Sequence, residues 1–191
     1  GCVALAASTG LAAVHTVYFA LLGAGAHVVG TDALYGASRM ILENEYSRFG
    51  VTGSFVDTSD VANVEKAMRP ETKLVYVESP ANPTNALFDI GACARAAREE
   101  GETSGRTPVV VVDNTFLGPL WQHPLEWGAD LVVYSLTKYV GGHSDLVAGA
   151  AWNDDFGDGS DVKTLANADI PEIVARIANI TIKGQVLGTG D

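Results

Sequence analysis

Val109-Val-Val-Val112 has no polar face, and neither do Leu74-Val-Tyr-Val77 and Leu131-Val-Val-Tyr134. Successive side chains of a strand leave opposite faces of its sheet, so such runs must be covered on both sides. Segments with helical spacing lie between them. This alternation constrains the fold more than any other feature. It predicts an α/β fold in three layers, a mainly parallel sheet with helices on both faces.

Helices are predicted over Thr9–Leu22, Ala37–Phe49, Val61–Met68, Asp89–Glu100 and Pro171–Lys183. Ser8 or Thr9 caps the first, Gly23 and Gly25 end it, and Asp57, Ser59 or Asp60 caps the third. Strands are predicted at His27–Gly30, Thr52–Val56, Lys73–Val77, Val109–Val112, Leu131–Tyr134 and Leu146–Trp152. No element is expected before the first helix. Gly101–Pro108 reads as a polar loop, and Asn153–Asp161 as an acidic, glycine-rich one. Pro80 and Pro83 exclude a regular helix just after Glu78.

With 191 residues, 47% of them hydrophobic, the chain can build one large core. Its net charge of −11, from 12 basic and 23 acidic residues, argues against nucleic acid and anionic membrane surfaces as partners. The apolar stretch Leu11–Leu22 is too short to span a bilayer and is interrupted by His15, Thr16 and Tyr18. Cys2 and Cys93 show neither metal-ligand spacing nor a disulfide framework, so no metal is expected and a reducing, cytoplasmic compartment fits. Gly1-Cys2 at one end and Thr189-Gly190-Asp191 at the other read as cut ends of a longer chain.

Ligands of parallel sheets bind beyond the carboxyl ends of the strands. There the sequence places Asp32 and Tyr35, then Glu78 and Asn82, then Asp113, then Ser135, Thr137 and Lys138. Lys138, so near a strand end, is placed to act as a partly desolvated amine nucleophile, against the plainer reading of a lysine snorkelling at the sheet rim. Asp113, at the mouth of an all-valine strand, needs a permanent cation, which a protonated pyridine would supply. Tyr35 can stack on a flat ring. The helix start at Ser8-Thr9-Gly10, with hydroxyls from Ser135 and Thr137, suits a phosphate. Together these groups describe a pocket for pyridoxal 5'-phosphate. Singly each has an ordinary reading: a turn or metal-binding aspartate, a half-buried tyrosine, a cap, a loop-bracing Glu78, a turn asparagine. Tyr134-Ser-Leu-Thr-Lys138 also has the Tyr-x-x-x-Lys spacing of short-chain dehydrogenases. That spacing needs a helix, and Tyr134 lies in a strand-like run.

Ser8-Thr-Gly-Leu-Ala-Ala, Leu34-Tyr-Gly36, Val77-Glu-Ser-Pro-Ala-Asn-Pro83, Val112-Asp-Asn-Thr115, Ser135-Leu-Thr-Lys-Tyr and Gly142-His-Ser carry a resemblance. The chain resembles the Cys/Met-metabolism family of pyridoxal-phosphate enzymes, the transsulfuration group of cystathionine and methionine lyases, synthases and sulfhydrylases. The resemblance implies the large domain of pyridoxal-phosphate fold type I, with residues 1–191 as its central part. It implies a small-molecule amino-acid substrate, either a sulfur amino acid or a homoserine ester. Elimination or replacement at Cβ or Cγ would be the reaction, in a cytoplasmic homo-oligomer, dimer or tetramer. Lys138 looks like the Schiff-base lysine and proton shuttle, and Asp113 the pyridinium partner. Asn82 would bond the cofactor's phenolic oxygen, and Tyr35 would stack on its ring and assist proton transfers as a second catalytic residue. Gly10 and Leu11 would offer N–H groups, and Ser135 and Thr137 hydroxyls, to the phosphate. Leu136 stands where the family usually has a small residue, Leu11 where it often has Met, and Ala37 where many methionine γ-lyases have Cys. The isolated piece is expected to be inactive. A fold-type I aminotransferase shares the aspartate–lysine logic but also uses an arginine near the phosphate, and none closely follows Lys138. A non-catalytic cofactor-binding remnant is the other alternative.

Overall fold

The computed structural model describes residues 3–153. Seven strands form one sheet: β1 (Val3–Ala7), β2 (His27–Thr31), β3 (Thr52–Val56), β4 (Thr72–Glu78), β5 (Val109–Asp113), β6 (Leu131–Ser135) and β7 (Gly149–Asn153). Their order is β1-β7-β6-β5-β4-β2-β3. The five strands from β6 to β3 are parallel, and β7 and β1 close one side antiparallel.

The apolar runs divide between two cores by residue parity. Val28, Leu74, Tyr76, Val111 and Val133 pack with Val14, Val17 and Tyr18 of helix α1 (Gly10–Leu21). Val29, Val75, Val77, Val110 and Val112 pack on the opposite face, with Val64 of α3 (Val61–Ala67) and with Ile90, Cys93 and Ala97 of α4 (Ile90–Ser104). This double coverage is what forbids a polar face on these strands. It also fixes direction at the strand ends. Glu78 and Asp113 are Cα partners, in phase with Tyr76 and Val111, and so belong to the α1 face.

The chain moves outward from β2 to β3, then crosses back to lay β4 on the other side of β2. Strand order therefore reverses between β2 and β4. A sheet of this kind opens a crevice there, at the carboxyl ends.

Several expectations need correction. A strand does precede the first helix: β1 pairs with β7 from Val3↔Asn153 to Ala7↔Gly149. The predicted helix at Ala37–Phe49 changes winding twice, from α2 (Gly36–Met40) through a π turn at Ile41–Glu45 to a 3-10 turn at Tyr46–Phe49. Helix α4 continues through Gly101 to Ser104, into the predicted loop. Gly101 is buried, and a Cβ there would collide with Thr107, so this glycine serves close packing and does not break the helix. A short helix α5 (Gly118–Trp121) and a 3-10 turn at Pro124–Trp127 occupy a stretch with no predicted element. Strand β7 begins at Gly149; Leu146 and Val147 before it are exposed. The helix expected at Pro171–Lys183, and the acidic loop beyond Asn153, lie outside the described residues, as does Cys2. Among the described residues no helix is long and apolar enough to cross a membrane.

Candidate active site

A cavity of about 390 Å³ opens at the carboxyl edge, on the α1 face. Gly10, Leu11, Tyr35, Asn82, Asp113, Ser135, Thr137 and Lys138 all line it, so the structure brings together every predicted site residue. Glu78 joins them, while Asp32 is exposed and absent from the wall.

The amino end of α1 forms one wall. Thr9 is the N-cap, its Oγ1 accepting from the Ala12 N–H at 2.9 Å. Ala13 N–H donates to the Thr9 carbonyl at 3.1 Å. The N–H groups of Gly10 and Leu11 have no acceptor within the helix and remain for a ligand. The helix start presses against β6 and β7. A Cβ on Gly10 would lie 2.5 Å from Ser135 Cβ, and one on Gly149 would overlap the Thr9 carbonyl. Glycine is required at both positions for this approach.

Asp113 forms the floor. Its Oδ1 accepts from Thr115 N–H at 3.0 Å and its Oδ2 from Tyr76 Oη at 3.3 Å. Burial raises its pKa, against the lowering effect of the Thr115 and Tyr76 hydrogen bonds. Among the described residues no cation forms an ion pair with it. Beside it, burial and then the Asp113 charge push Glu78 up to about 7. Tyr18, also raised by burial and by Asp113, has a buried hydroxyl without a hydrogen-bond partner among the described residues. Two buried carboxylates without a counter-ion among the described residues fit a cationic ring well.

Ser135 and Thr137 differ. The Ser135 N–H donates to Thr115 Oγ1 at 2.8 Å, which leaves its own hydroxyl beside Gly10. Thr137 Oγ1 donates to the Ala148 carbonyl at 3.1 Å and accepts the Ala148 N–H at 3.0 Å. Its single hydroxyl proton is committed to the β7 approach. Lys138 is exposed at the rim, its N–H bonded to the Ser135 carbonyl at 3.1 Å. Tyr35, 56% exposed, leads α2 at the mouth, near the edge-to-face pair Phe116–Tyr139.

Tyr134 points the other way. It stacks on Trp152, centroids 4.1 Å apart, and its hydroxyl lies 2.8 Å from Asn114 Nδ2. It belongs to the small cluster of Val132, Ala150 and Trp152, against which Leu136 packs. The Tyr-x-x-x-Lys pairing is therefore absent in space.

Sequence reasoning did not single out Ser38, Thr115 or Tyr76. Ser38 lines the cavity, and its buried hydroxyl has no partner among the described residues. It follows Tyr35 by one helical turn, a spacing that could have flagged it. Thr115, two residues past Asp113, follows the local Asx pattern. Tyr76 carried no signal within an apolar strand.

The sequence profile of the Cys/Met metabolism PLP-dependent enzymes matches residues 1–186. The L-methionine gamma-lyase of Fusobacterium nucleatum subsp. polymorphum is 36% identical over 188 residues, covering 98% of this chain and 43% of that protein. Human cystathionine gamma-lyase is 44% identical over 145 residues, covering 76% of this chain and 34% of that one. A crystal structure of cystathionine gamma-lyase from Lactobacillus plantarum complexed with L-serine superposes with a TM-score of 0.73 at 36% identity, covering 80% of this chain and 38% of that chain. This chain thus spans less than half the length of the relatives it matches.

Proposed function

Because the chain belongs to the family of Cys/Met metabolism PLP-dependent enzymes, we propose that it forms the cofactor site of a carbon–sulfur lyase acting on sulfur amino acids. The observation that carries this reading is Asp113: a buried carboxylate with no ion-pair partner among the described residues, at the floor of a cavity whose rim holds a lysine.

When bound, pyridoxal phosphate supplies an electron-accepting ring that makes the Cα proton of an attached amino acid acidic and assists departure of a β- or γ-substituent. The rest falls to the chain's own residues. Asp113 would hold the ring nitrogen protonated, since a buried anion favours a cation beside it. The N–H groups of Gly10 and Leu11, at the positive end of α1, and the Ser135 hydroxyl would hold the phosphate. Thr137 would contribute its proton only by releasing Ala148. Tyr35 would cover the ring, and Asn82 would bond its phenolic oxygen. Lys138 Nζ would hold the cofactor aldehyde and, once displaced by substrate, move the proton at Cα. Homoserine esters are the alternative substrates, and a homo-oligomeric, cytoplasmic enzyme is the setting we propose.

Borohydride reduction of the full-length protein with pyridoxal phosphate, followed by peptide mapping, should place a stable adduct on Lys138. An adduct elsewhere, or none, would overturn the assignment. Thiol and 2-oxo acid release from cystathionine, methionine and acylated homoserine then separates lyase from replacement chemistry.

A further inference from the structure

Tyr35 and Asn82 face the same cavity from either side of the strand-order reversal, yet neither side chain is fixed by packing. Both residues are exposed. Tyr35 leads α2 without any side-chain cap bond, and the Asn82 amide has no hydrogen-bond partner among the described residues. Their backbones locate them, and both backbones are tied to one group. The Tyr35 N–H donates to Glu78 Oε2 at 2.8 Å, and the Asn82 N–H donates to Glu78 Oε1 at 3.2 Å.

We propose that Glu78 is a positioning residue for the cofactor: its two carboxylate oxygens clamp the β2–α2 junction to the loop after β4 and so set the gap between Tyr35 and Asn82. This deepens the function proposed above and rests on it. Glu78 is well suited to the task. It ends β4, in register with Asp113 of β5, so the clamp is anchored in the rigid centre of the sheet. It is only 8% exposed. A carboxylate offers two acceptors to two separate donors, whereas a glutamine offers one oxygen and turns a competing N–H toward the second donor. Its position beside Asp113 is costly for a purely structural brace. Burial and the Asp113 charge raise its pKa, and the two backbone donors oppose that rise. Bonds to a charged acceptor are the stronger kind, so the clamp is at full strength above about pH 7, where Glu78 is ionised.

Glu78→Gln and Glu78→Ala in the full-length protein test the clamp, with pyridoxal phosphate as probe. Equilibrium dialysis gives its affinity, and induced circular dichroism of its visible band reports how rigidly the ring is held. Affinity should fall about tenfold for Gln and about a hundredfold for Ala, the range for losing one and two charge-assisted hydrogen bonds. The induced signal per bound cofactor should fall in the same order, while the melting temperature of the cofactor-free protein changes by only a few degrees. Wild-type affinity and an undiminished signal in both variants would overturn the clamp. A lowered melting temperature with an unchanged signal would also overturn it, showing a brace and no more. If the alanine variant does not fold, the glutamine variant decides alone. A wild-type protein that takes up no pyridoxal phosphate would sink the functional reading and the clamp together, whereas normal uptake with indifferent variants sinks only the clamp.

Discussion

At the amino end of the parallel strands, His27 is buried and both ring nitrogens are used. Nδ1 lies 2.8 Å from Thr72 Oγ1, and Nε2 lies 3.0 Å from Ser54 Oγ. Nearby, Asp130 Oδ2 accepts the Val110 N–H at 2.7 Å, and Thr72 Oγ1 also accepts the Arg69 N–H at 2.8 Å. At the carboxyl end, Glu78 and Asp113 are also buried, but the set does not close on itself. Among the described residues no cation pairs with either carboxylate, and the Ser38 and Tyr18 hydroxyls have no hydrogen-bond partner. Both ends spend burial on polar groups. One end recovers the cost within the chain, and the other leaves it to be recovered by something bound. Satisfied polar burial marks structure, and unsatisfied polar burial marks a site.

The sharpest way to break this contrast is Lys138→Ala. Lys138 is exposed and makes no side-chain hydrogen bond among the described residues. Turnover by the full-length enzyme should fall by about 10³-fold or more, as expected for loss of an acid–base and covalent group. Its melting temperature without cofactor should not move. A substantially lowered melting temperature would put Lys138 with the structural groups.

Asp113→Asn comes next. Removing the buried anion should weaken pyridoxal phosphate binding by about a hundredfold or more, the usual cost of breaking a buried charge pair. The cofactor-free protein should be no less stable, because it no longer buries an uncompensated charge. A large loss of stability would mean that Tyr76 and Thr115 already satisfy Asp113 as fully as Thr72 and Ser54 satisfy His27.

Gly10→Ala should act through packing. The new Cβ would meet Ser135 Cβ at 2.5 Å and Cα at 2.8 Å, and backbone cannot yield cheaply. A loss of about 1–3 kcal/mol in urea melts is expected, the range for overpacking. Phosphate-bearing cofactor should lose more affinity than its dephosphorylated form, since α1 is what the methyl group displaces. Equal losses for the two would detach Gly10 from phosphate binding.

The site was legible because parallel strands put whatever follows them along one edge. Asp113, Asn82 and Lys138 could be aligned by counting from strand ends. The fold was legible wherever a run such as Val109–Val112 demanded cover on both faces. What escaped depends on distant partners. Strand β1 is five apolar residues, three of them alanine, whose strand character comes from β7, nearly the whole described chain away. Gly101 reads as a helix breaker until Thr107 is seen passing over it. Across the π turn at Ile41–Glu45, Leu42 and Tyr46 are buried four residues apart, a spacing that an α-helix also gives. Tyr76 is one more apolar strand residue until β5 brings Asp113 to its hydroxyl. Glu78 was visible as a strand-end carboxylate, but its span from Tyr35 to Asn82 crosses the reversal of strand order and has no local signature.

The smallest effect separates the two ends by sign. Burial, and then the charge of Arg69, lower the pKa of His27 from 6.5. The unfolded chain therefore binds that proton more readily. The stability contributed by neutral His27 is complete above pH 6.5 and is lost as pH falls below it. Glu78 is the reverse: its pKa rises from 4.5 to about 7, so the folded state binds the proton more readily. The stability linked to protonated Glu78 is present below pH 4.5 and is lost as pH rises toward 7. In urea melts of the cofactor-free protein between pH 5 and 7, His27→Gln should make stability fall more steeply with rising pH than in wild type. Glu78→Gln should shift the slope the opposite way. Taking differences from wild type cancels the groups common to all three proteins. Slope changes of the same sign would show that the two ends of the sheet bury their polar groups on equal terms, and the contrast between a closed end and an open one would fail.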